Sequence, residues 1–224
     1  LSNHPRIYDS VKDRIKKEIY RIERGYQNEK NAAYYINHYF ASRNNWMVIH
    51  DIRLEVNNLS VQIDHLLLGR TRNYILESKY FSSVLVSNNE NFSIKTSKGY
   101  IGIPNPMLQA ERQIDTLIKI INELNLDADM ALTFDCCVLV SPGTHLPKKL
   151  PEKIIKADVV GSYIDRDLEE TGIGGLLKDA FSMLTTKKDD IEKVARKLIK
   201  YHRPWDTAVY LKRLGIAWAE KLLN

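Results

Sequence analysis

The sequence predicts an α/β fold in which a mixed central β-sheet is flanked by helices and followed by a helical C-terminal extension. Short apolar segments separated by turn residues run through residues 46–94 and predict a series of strands. A long helical pattern follows, and a run over residues 134–140 that is apolar except for Asp135 then ends at Ser141-Pro142-Gly143. Such a run is typical of an interior strand. Strands on both sides of a helix in the sequence favour a sheet covered by helices.

Two helices are predicted before the first strand. Apolar residues recur at helical spacing over residues 8–24, and Gly25 is a typical helix stop. Asn28 predicts the N-cap of a second helix that runs to about residue 42. Glu29 falls in the first turn of that helix, where a carboxylate suits the positive end of the helix dipole.

The remaining elements follow in order along the chain. Short strands are predicted at residues 46–54, 61–68, 74–80, 84–86 and 92–94. Pro104 and Pro106 then introduce a helix that extends to about Leu124. After the interior strand, residues 157–165 predict one more short strand. From Ile173 onward we expect three helical stretches, broken near Thr185 and at Arg203-Pro204.

Length and composition indicate a soluble protein with one core and a small appendage. The 224 residues are 44% apolar and 27% charged, and no stretch approaches the roughly 18 apolar residues of a membrane span. The first 25 residues contain no apolar segment typical of a signal peptide. Cys136 and Cys137 are adjacent, so in a strand they point to opposite faces, and neither a disulfide nor a zinc cluster is expected. These features predict a cytoplasmic protein without membrane contact.

The basic excess of the chain lies in its C-terminal part. Residues 1–175 carry 22 Lys and Arg against 22 Asp and Glu, whereas residues 176–224 carry 11 against 6. This asymmetry is compatible with binding to a polyanion such as nucleic acid, and a solvated helix face explains it equally well. The candidate phosphate-contacting residues in this part are Lys193, Arg196, Lys197 and Lys200.

One group of polar residues within the predicted strands points to chemistry. Glu77 and Lys79 share a strand face, and they follow Asp64 by thirteen positions or more. Residues 74–76 are continuously apolar, so Glu77 is expected in buried surroundings, where an unpaired carboxylate is costly. Lys79 can neutralise Glu77 as a plain salt bridge. Alternatively, both side chains serve a metal ion and a water in phosphodiester hydrolysis.

Five short motifs occur in an order that resembles the NERD family, the nuclease-related domain proteins. The resemblance runs from about Gly25 to Leu124 and implies a restriction-endonuclease-like fold with a PD-(D/E)xK site. Asn28 departs from the family pattern, which usually has a second glycine there. The motifs are Gly25-x-x-x-Glu29, His50-Asp51, Gln62-Ile63-Asp64-His65, Glu77-Ser78-Lys79-Tyr80-Phe81 and Asn105-Pro106-x-x-Gln109.

The resemblance implies a role for each matching residue. Asp64 and Glu77 would ligate a metal ion, and Glu29 would complete the acidic cluster. Lys79 would orient or activate the attacking water, and Gln109 would support these groups from the later helix. Because oxygen ligands without Cys or paired His favour Mg²⁺ or Mn²⁺ over zinc, we expect one of these two ions as cofactor.

Arg112 and Gln113 lie one turn beyond Gln109 in the predicted helix. They are positioned to contact phosphate, although an exposed helix face accounts for both residues more simply. His65 follows Asp64 and therefore faces the other side of its strand, where a packed histidine is the favoured interpretation.

The domain organisation expected from these elements is an N-terminal helix over residues 1–24, a nuclease-like core over 25–165 and a basic helical extension over 166–224. The expected function is metal-dependent hydrolysis of DNA, and hydrolysis of RNA or of a nucleotide phosphodiester is a further possibility. The alternative is a non-catalytic module that binds nucleic acid or a protein on the same fold.

Overall fold

A five-stranded sheet forms the centre of the larger of two units into which the chain divides. This unit comprises residues 28–203, and the smaller unit comprises residues 1–27 together with 204–224. Among the described residues, no helix is both long enough and apolar enough to cross a membrane. The computed structural model describes residues 9–81, 85–88, 91–96, 99–126, 133–147, 150–170 and 187–204.

The strands of the described residues form two sheets. The main sheet has the order β1-β2-β3-β7-β8, and the small sheet has the order β4-β5-β6. β1, β2 and β3 pair antiparallel, whereas β7 and β8 continue the main sheet in parallel. The fold is therefore the predicted α/β class with a mixed sheet. The strands are β1 Trp46–Val56, β2 Leu59–Gly69, β3 Asn73–Lys79, β4 Leu85–Asn88, β5 Asn91–Thr96, β6 Gly99–Ile103, β7 Phe134–Val140 and β8 Ile154–Lys156.

Helices cover both faces of the main sheet. The described helices of four or more residues are α1 Asp9–Phe40, α2 Pro106–Glu123, α3 Val160–Glu170 and α4 Lys188–Lys200. Ala32, Ile36 and Phe40 of α1 share one buried cluster with β3 and α3 residues, and α2 and α4 contribute to the other. Cys136 lies in one cluster and Cys137 in the other, so the two thiols face opposite sides of β7, as predicted.

The small sheet is inserted between β3 and α2 in the sequence. All its pairings are antiparallel. Phe92 of β5 is buried in the core of the larger unit, and Ile94 and Ile103 pack against that core. β6 was not expected from the sequence, because Gly99 and Gly102 interrupt its apolar residues and glycine is unfavourable in strands.

The predicted break between two N-terminal helices is wrong. α1 is continuous from Asp9 to Phe40, so Gly25 lies inside it. An isolated glycine costs a helix only about 1 kcal/mol and, unlike proline, keeps its backbone N–H, so it does not end a helix by itself. Asn28 is accordingly a buried interior residue and not an N-cap, and Glu29 does not lie in a first turn.

The predicted strand over residues 157–165 is also wrong. β8 ends at Lys156, and the chain continues as a 3₁₀ turn over Ala157–Val159 and then as α3. The buried residues of this segment are Ala157, Val160 and Ile164, which is the spacing of a helix and not of a strand. Of the three helical stretches predicted further on, α4 is described, and the other two fall on residues outside the described ranges. The predicted domain boundaries stay a prediction.

Candidate active site

Glu77 is the most deeply buried of the predicted site residues. It follows the apolar residues 74–76 in β3, and only 2% of its surface is exposed. β3 is an interior strand of the main sheet, and both of its faces are covered, because Ile75 packs in one core cluster and Tyr74 and Leu76 pack in the other. The burial expected from the sequence is therefore confirmed, and the carboxylate requires partners.

Three side chains donate to the Glu77 carboxylate. Lys79 Nζ lies 2.6 Å from Oε1, and Gln109 Nε2 donates to the same oxygen at 2.7 Å. Gln113 Nε2 donates to Oε2 at 2.8 Å. Gln109 and Gln113 are four residues apart on α2, so both amides lie on one face of the helix. Both oxygens of Glu77 are thus held, and α2 supplies a donor to each.

Gln113 is a residue of this site that sequence reasoning missed. The interpretation of an exposed helix face is wrong for it, since 9% of its surface is exposed. Its Nε2 also donates to the Gln62 carbonyl oxygen at 3.0 Å. Both partners of Nε2 are acceptors, so the orientation of the amide is fixed. Oε1 is then buried without a hydrogen-bond partner in the described part of the chain.

Asp64 approaches Glu77 at the point where the β2–β3 ladder stops. The last paired residues of the two strands are His65 and Leu76. Beyond this pair, Asp64 Oδ2 accepts a hydrogen bond from the Ser78 backbone N–H at 2.8 Å. A side-chain carboxylate therefore replaces the backbone acceptor that a continued ladder would provide, and this bond holds Asp64 beside the Glu77 strand.

Two carboxyl groups of the site, those of Asp64 and Glu29, have raised pKa values. Burial, followed by the negative charges of Glu77 and Glu29, raises the pKa of Asp64 to about 8, against the effects of the Ser78 N–H and of Lys79. Burial also raises the pKa of Glu29, with further contributions from Asp51 and Glu77. α1 therefore brings Glu29 into the field of the two strand carboxylates. We call Glu29, Asp64, Glu77 and Lys79 the acidic cluster.

Asp51 is a second residue that sequence reasoning left without a role. It has φ 48°, which is the left-handed region that asparagine and aspartate tolerate better than most residues. Its Oδ1 lies 3.4 Å from Gln62 Nε2. The motif His50-Asp51 marked the position, but no sequence pattern predicts a positive φ in a strand. Backbone strain of this kind concentrates at functional sites.

A comparison with known families identifies the fold. Residues 24–141, more than half of the chain, match the family model for NERD, the nuclease-related domain. The chain belongs to the NERD family. Its mixed sheet flanked by helices is consistent with the restriction-endonuclease-like fold. Neither the comparison with curated proteins nor the comparison with solved structures found a match.

The carboxylates of this NERD domain suit a hard divalent cation in their chemistry. Glu29, Asp64 and Glu77 offer oxygen ligands, and the pKa of Asp64 is raised by burial and then by the negative charges of Glu77 and Glu29, both of which a bound cation would offset. Among the described residues, no group of three or more His, Cys, Asp or Glu side chains is already arranged to hold a metal ion. The donor set therefore fits such an ion, while the Glu77 oxygens are held by protein donors.

The predicted phosphate-contacting residues lie on two helices. Arg112 is exposed on α2, three residues after Gln109. α4 packs against β1 and β2, and its Lys193 and Arg196 pair with Asp190 and Glu192 of the same helix. Lys197 and Lys200 are in its last turn. Contact of these residues with nucleic acid stays a prediction.

Proposed function

We propose that this NERD protein is a metal-dependent nuclease that hydrolyses phosphodiester bonds in DNA. The observation that carries the proposal is the acidic cluster, in which three carboxylates influence one another and Lys79 is the basic member. A purely structural group would be expected to balance its charges, because uncompensated negative charge in a buried site destabilises the fold. Excess negative charge that a phosphodiester must approach requires a cation.

Each side chain of the acidic cluster has a role in this proposal. Glu29, Asp64 and Glu77 would hold Mg²⁺ or Mn²⁺. When bound, such an ion polarises a phosphodiester and makes water a better nucleophile at neutral pH. Lys79 is 30% exposed at its side chain, and its Nζ lies 2.6 Å from Glu77 Oε1. Its charge would orient the attacking water and stabilise the developing negative charge on phosphate oxygens.

Gln109 and Gln113 would fix the direction in which Glu77 presents its carboxylate. Amide donors keep the two oxygens in place without adding charge, so the cluster retains its affinity for a cation. The proposal locates the protein in the cytoplasm, where its buried free thiols would remain reduced. DNA is the proposed substrate, and cleavage assays with both DNA and RNA distinguish it from RNA.

Cleavage of labelled single- and double-stranded DNA and of RNA tests the proposal. Wild type, Glu77→Ala and the control Glu111→Ala would be assayed in Mg²⁺, Mn²⁺ and EDTA. Glu111 is exposed on the same helix as Gln109, so its loss tests for general effects of removing a glutamate. We expect metal-dependent cutting by wild type and Glu111→Ala, and none by Glu77→Ala. Equal cutting by Glu77→Ala would refute the assignment of the site.

A non-catalytic binding module is the second candidate function. It is favoured by the engagement of both Glu77 oxygens by protein donors and by the lack of a ready metal group among the described side chains. Thermal unfolding with and without Mn²⁺ separates the two candidates, because an ion that binds only the folded state raises Tm. Retained DNA binding without Mn²⁺ stabilisation or cleavage would favour the binding module.

A further inference from the structure

A chain of side-chain hydrogen bonds lies on the opposite face of β3 from the Glu77 carboxylate. Ser78 Oγ lies 2.9 Å from His65 Nε2. His65 Nδ1 lies 2.8 Å from His50 Nδ1, and His50 Nε2 lies 3.1 Å from Asn37 Oδ1. These contacts connect β3, through β2 and β1, to α1, and all four residues belong to the larger unit.

The direction of these hydrogen bonds follows from the partners at the chain's end. Asn37 Oδ1 is an acceptor, so His50 Nε2 must carry a hydrogen. Among the described hydrogen bonds, the partners of the two rings are each other, an amide oxygen and a hydroxyl, with no carboxylate, and His65 is buried, so an unpaired charge there would be costly and both rings are taken as neutral. A neutral imidazole has one N–H. His65 Nδ1 therefore donates to His50, and His65 Nε2 accepts from the Ser78 hydroxyl.

Ser78 connects β3, which carries Glu77, to β2, which carries Asp64. It lies between Glu77 and Lys79, and its backbone N–H holds Asp64 beyond the last pair of the β2–β3 ladder. With no backbone pairing there, side-chain bonds must set the distance between the strands. The bond from His65 to the Ser78 hydroxyl joins the strands from one face, and the bond from Ser78 to Asp64 joins them within the strand gap.

We propose that His50 and His65 are positioning residues, which with Asn37 fix Ser78 and thereby the Asp64 carboxylate. The consequence for catalysis rests on the proposed nuclease function, whereas the consequence for Ser78 does not. A histidine that only fills space would make no directed bonds at both ring nitrogens. Each of these two rings has a partner at Nδ1 and another at Nε2.

The tautomers of the two rings test the chain directly in the wild-type protein. Long-range ¹H–¹⁵N NMR at pH 7 on the full chain in EDTA should find His50 protonated at Nε2 and His65 protonated at Nδ1. If both rings have the same tautomer, or either ring is charged, no continuous chain exists and the inference is overturned. This measurement needs no variant, so it does not depend on whether a variant folds.

Hydrogen exchange at the Ser78 amide tests the positioning effect. His50→Ala removes the acceptor of His65, and we expect exchange at Ser78 to accelerate about tenfold or more because its bond to Asp64 loosens. His50→Gln keeps one acceptor and one donor, and it should restore slow exchange. The Leu139 amide, in the paired interior of β7, should not change in any variant. Unchanged exchange at Ser78 in His50→Ala would contradict the inference.

His38→Ala is the matched control. His38 follows Asn37 on α1, is exposed, and its ring contacts are with Tyr34 and Tyr39. Its loss removes an imidazole from the same helix without touching the hydrogen-bonded chain. We expect wild-type exchange at Ser78 and wild-type cleavage. Slow exchange lost equally in His38→Ala and His50→Ala would show a general effect and overturn the inference.

Steady-state cleavage tests the catalytic consequence. Loss of an outer hydrogen-bond partner typically costs 10–100-fold in activity, so His50→Ala should lower kcat by about that factor with KM little changed, and His50→Gln should recover most of it. An active enzyme whose kcat is unaffected by His50→Ala would overturn the positioning role. If wild type does not cleave at all, the nuclease proposal fails, while the tautomers and the Ser78 exchange still decide the inference.

Discussion

Two charged clusters lie near opposite ends of β3, and they differ in the balance of their charges. Near the first residues of the strand, Arg72 pairs with Asp167 at 3.0 Å, and Lys153 pairs with Asp135 at 2.5 Å. The Tyr74 hydroxyl also donates to Asp167 at 2.7 Å. We call these five residues the Arg72 cluster. It contains two acids and two bases, and its contacts neutralise them.

The acidic cluster at the other end of β3 has three carboxylates and one lysine. The pKa of Asp64 in this cluster is raised by burial and then by the negative charges of Glu77 and Glu29, whereas a carboxylate with a cationic partner would have a lowered one. The same strand therefore carries one arrangement that contributes to stability and one that opposes it. Charge balance separates the structural cluster from the candidate functional one, although both are partly buried and rich in hydrogen bonds.

The largest contrast is expected from one substitution in each cluster. Asp64→Asn should abolish cleavage, lowering it at least about a hundredfold, while above about pH 8, where Asp64 is charged, the free energy of unfolding stays equal or rises because a like charge is removed. Asp167→Asn should leave cleavage unchanged and lower the free energy of unfolding by about 1–3 kcal/mol, because Arg72 and Tyr74 lose a charged partner. Cleavage assays and urea denaturation measure both. If Asp64→Asn lowered stability and kept cleavage, while Asp167→Asn lost cleavage and kept stability, the distinction between the two clusters would be wrong.

The pH dependence of stability sharpens the comparison. Asp64 has a raised pKa of about 8 in the folded protein, so the folded state binds a proton that the unfolded state has lost above its ordinary pKa near 3.8. In EDTA, stability should therefore fall as the pH rises from about 4 to 8. The difference in Tm between wild type and Asp64→Asn, measured at intervals over this range, isolates the contribution.

Added Mn²⁺ should oppose that fall. Ligation requires the deprotonated carboxylate, so the increase in Tm caused by Mn²⁺ should grow as the pH approaches 8. Asp167→Asn should show the same pattern as wild type. An Mn²⁺ effect that is independent of pH would argue against Asp64 as a ligand.

A smaller effect is expected at Gln113. Gln113→Met keeps a side chain of similar length but leaves Glu77 Oε2 and the Gln62 carbonyl without a donor. We expect a loss of about 1–3 kcal/mol in stability and a reduced kcat. Arg112→Ala, at the exposed neighbouring position, should change stability by about 0.5 kcal/mol or less. A stabilised Gln113→Met would mean that the buried, unpartnered Oε1 costs more than the two bonds contribute.

The smallest effect is expected from basic residues outside both clusters. Ile191, Val194, Ala195 and Leu198 of α4 are buried in the core, so substitution tests the basic helix better than truncation. Lys197→Gln together with Lys200→Gln should weaken DNA binding and reduce the slope of log K against log salt by about 2, if both contact phosphates. The DNA-binding constant measured at several salt concentrations from about 50 to 200 mM gives that slope. An unchanged slope would remove this part of α4 from the binding surface.

The sequence was most informative where packing decides the outcome. The interior strand β7 has the predicted bounds, because a segment that is apolar except for Asp135 is stable as a strand only when both of its faces are buried. The burial of Glu77 followed from the apolar residues before it. By contrast, nothing local distinguishes Gln113, which is buried because α2 packs over β3, from the exposed Arg112 beside it. The prediction that a helix ends at Gly25 failed because a local stop signal was outweighed by the residues on both sides, which continue the helix.

The sequence also did not predict the hydrogen bond between the His50 and His65 rings or the gap between β2 and β3 beyond their last paired residues. The motifs identified His50, Asp64 and His65 as positions of interest, but that the β2–β3 ladder ends at His65 is a property of the assembled sheet. Asp51, with its positive φ, follows His50, which is the β1 partner of His65. Such geometry follows from the assembled sheet, so sequence alone could predict the composition of the site and not the bonds that arrange it.

The small sheet of β4, β5 and β6 separates the halves of the candidate site along the gene. It begins shortly after Lys79 and ends before the helix that carries Gln109, while Phe92 secures it to the core. A change in the length or sequence of this insertion would therefore leave both halves of the candidate site in place, provided that an apolar residue is kept at position 92. The insertion is accordingly a suitable position for engineering the surroundings of the site without altering the residues that form it.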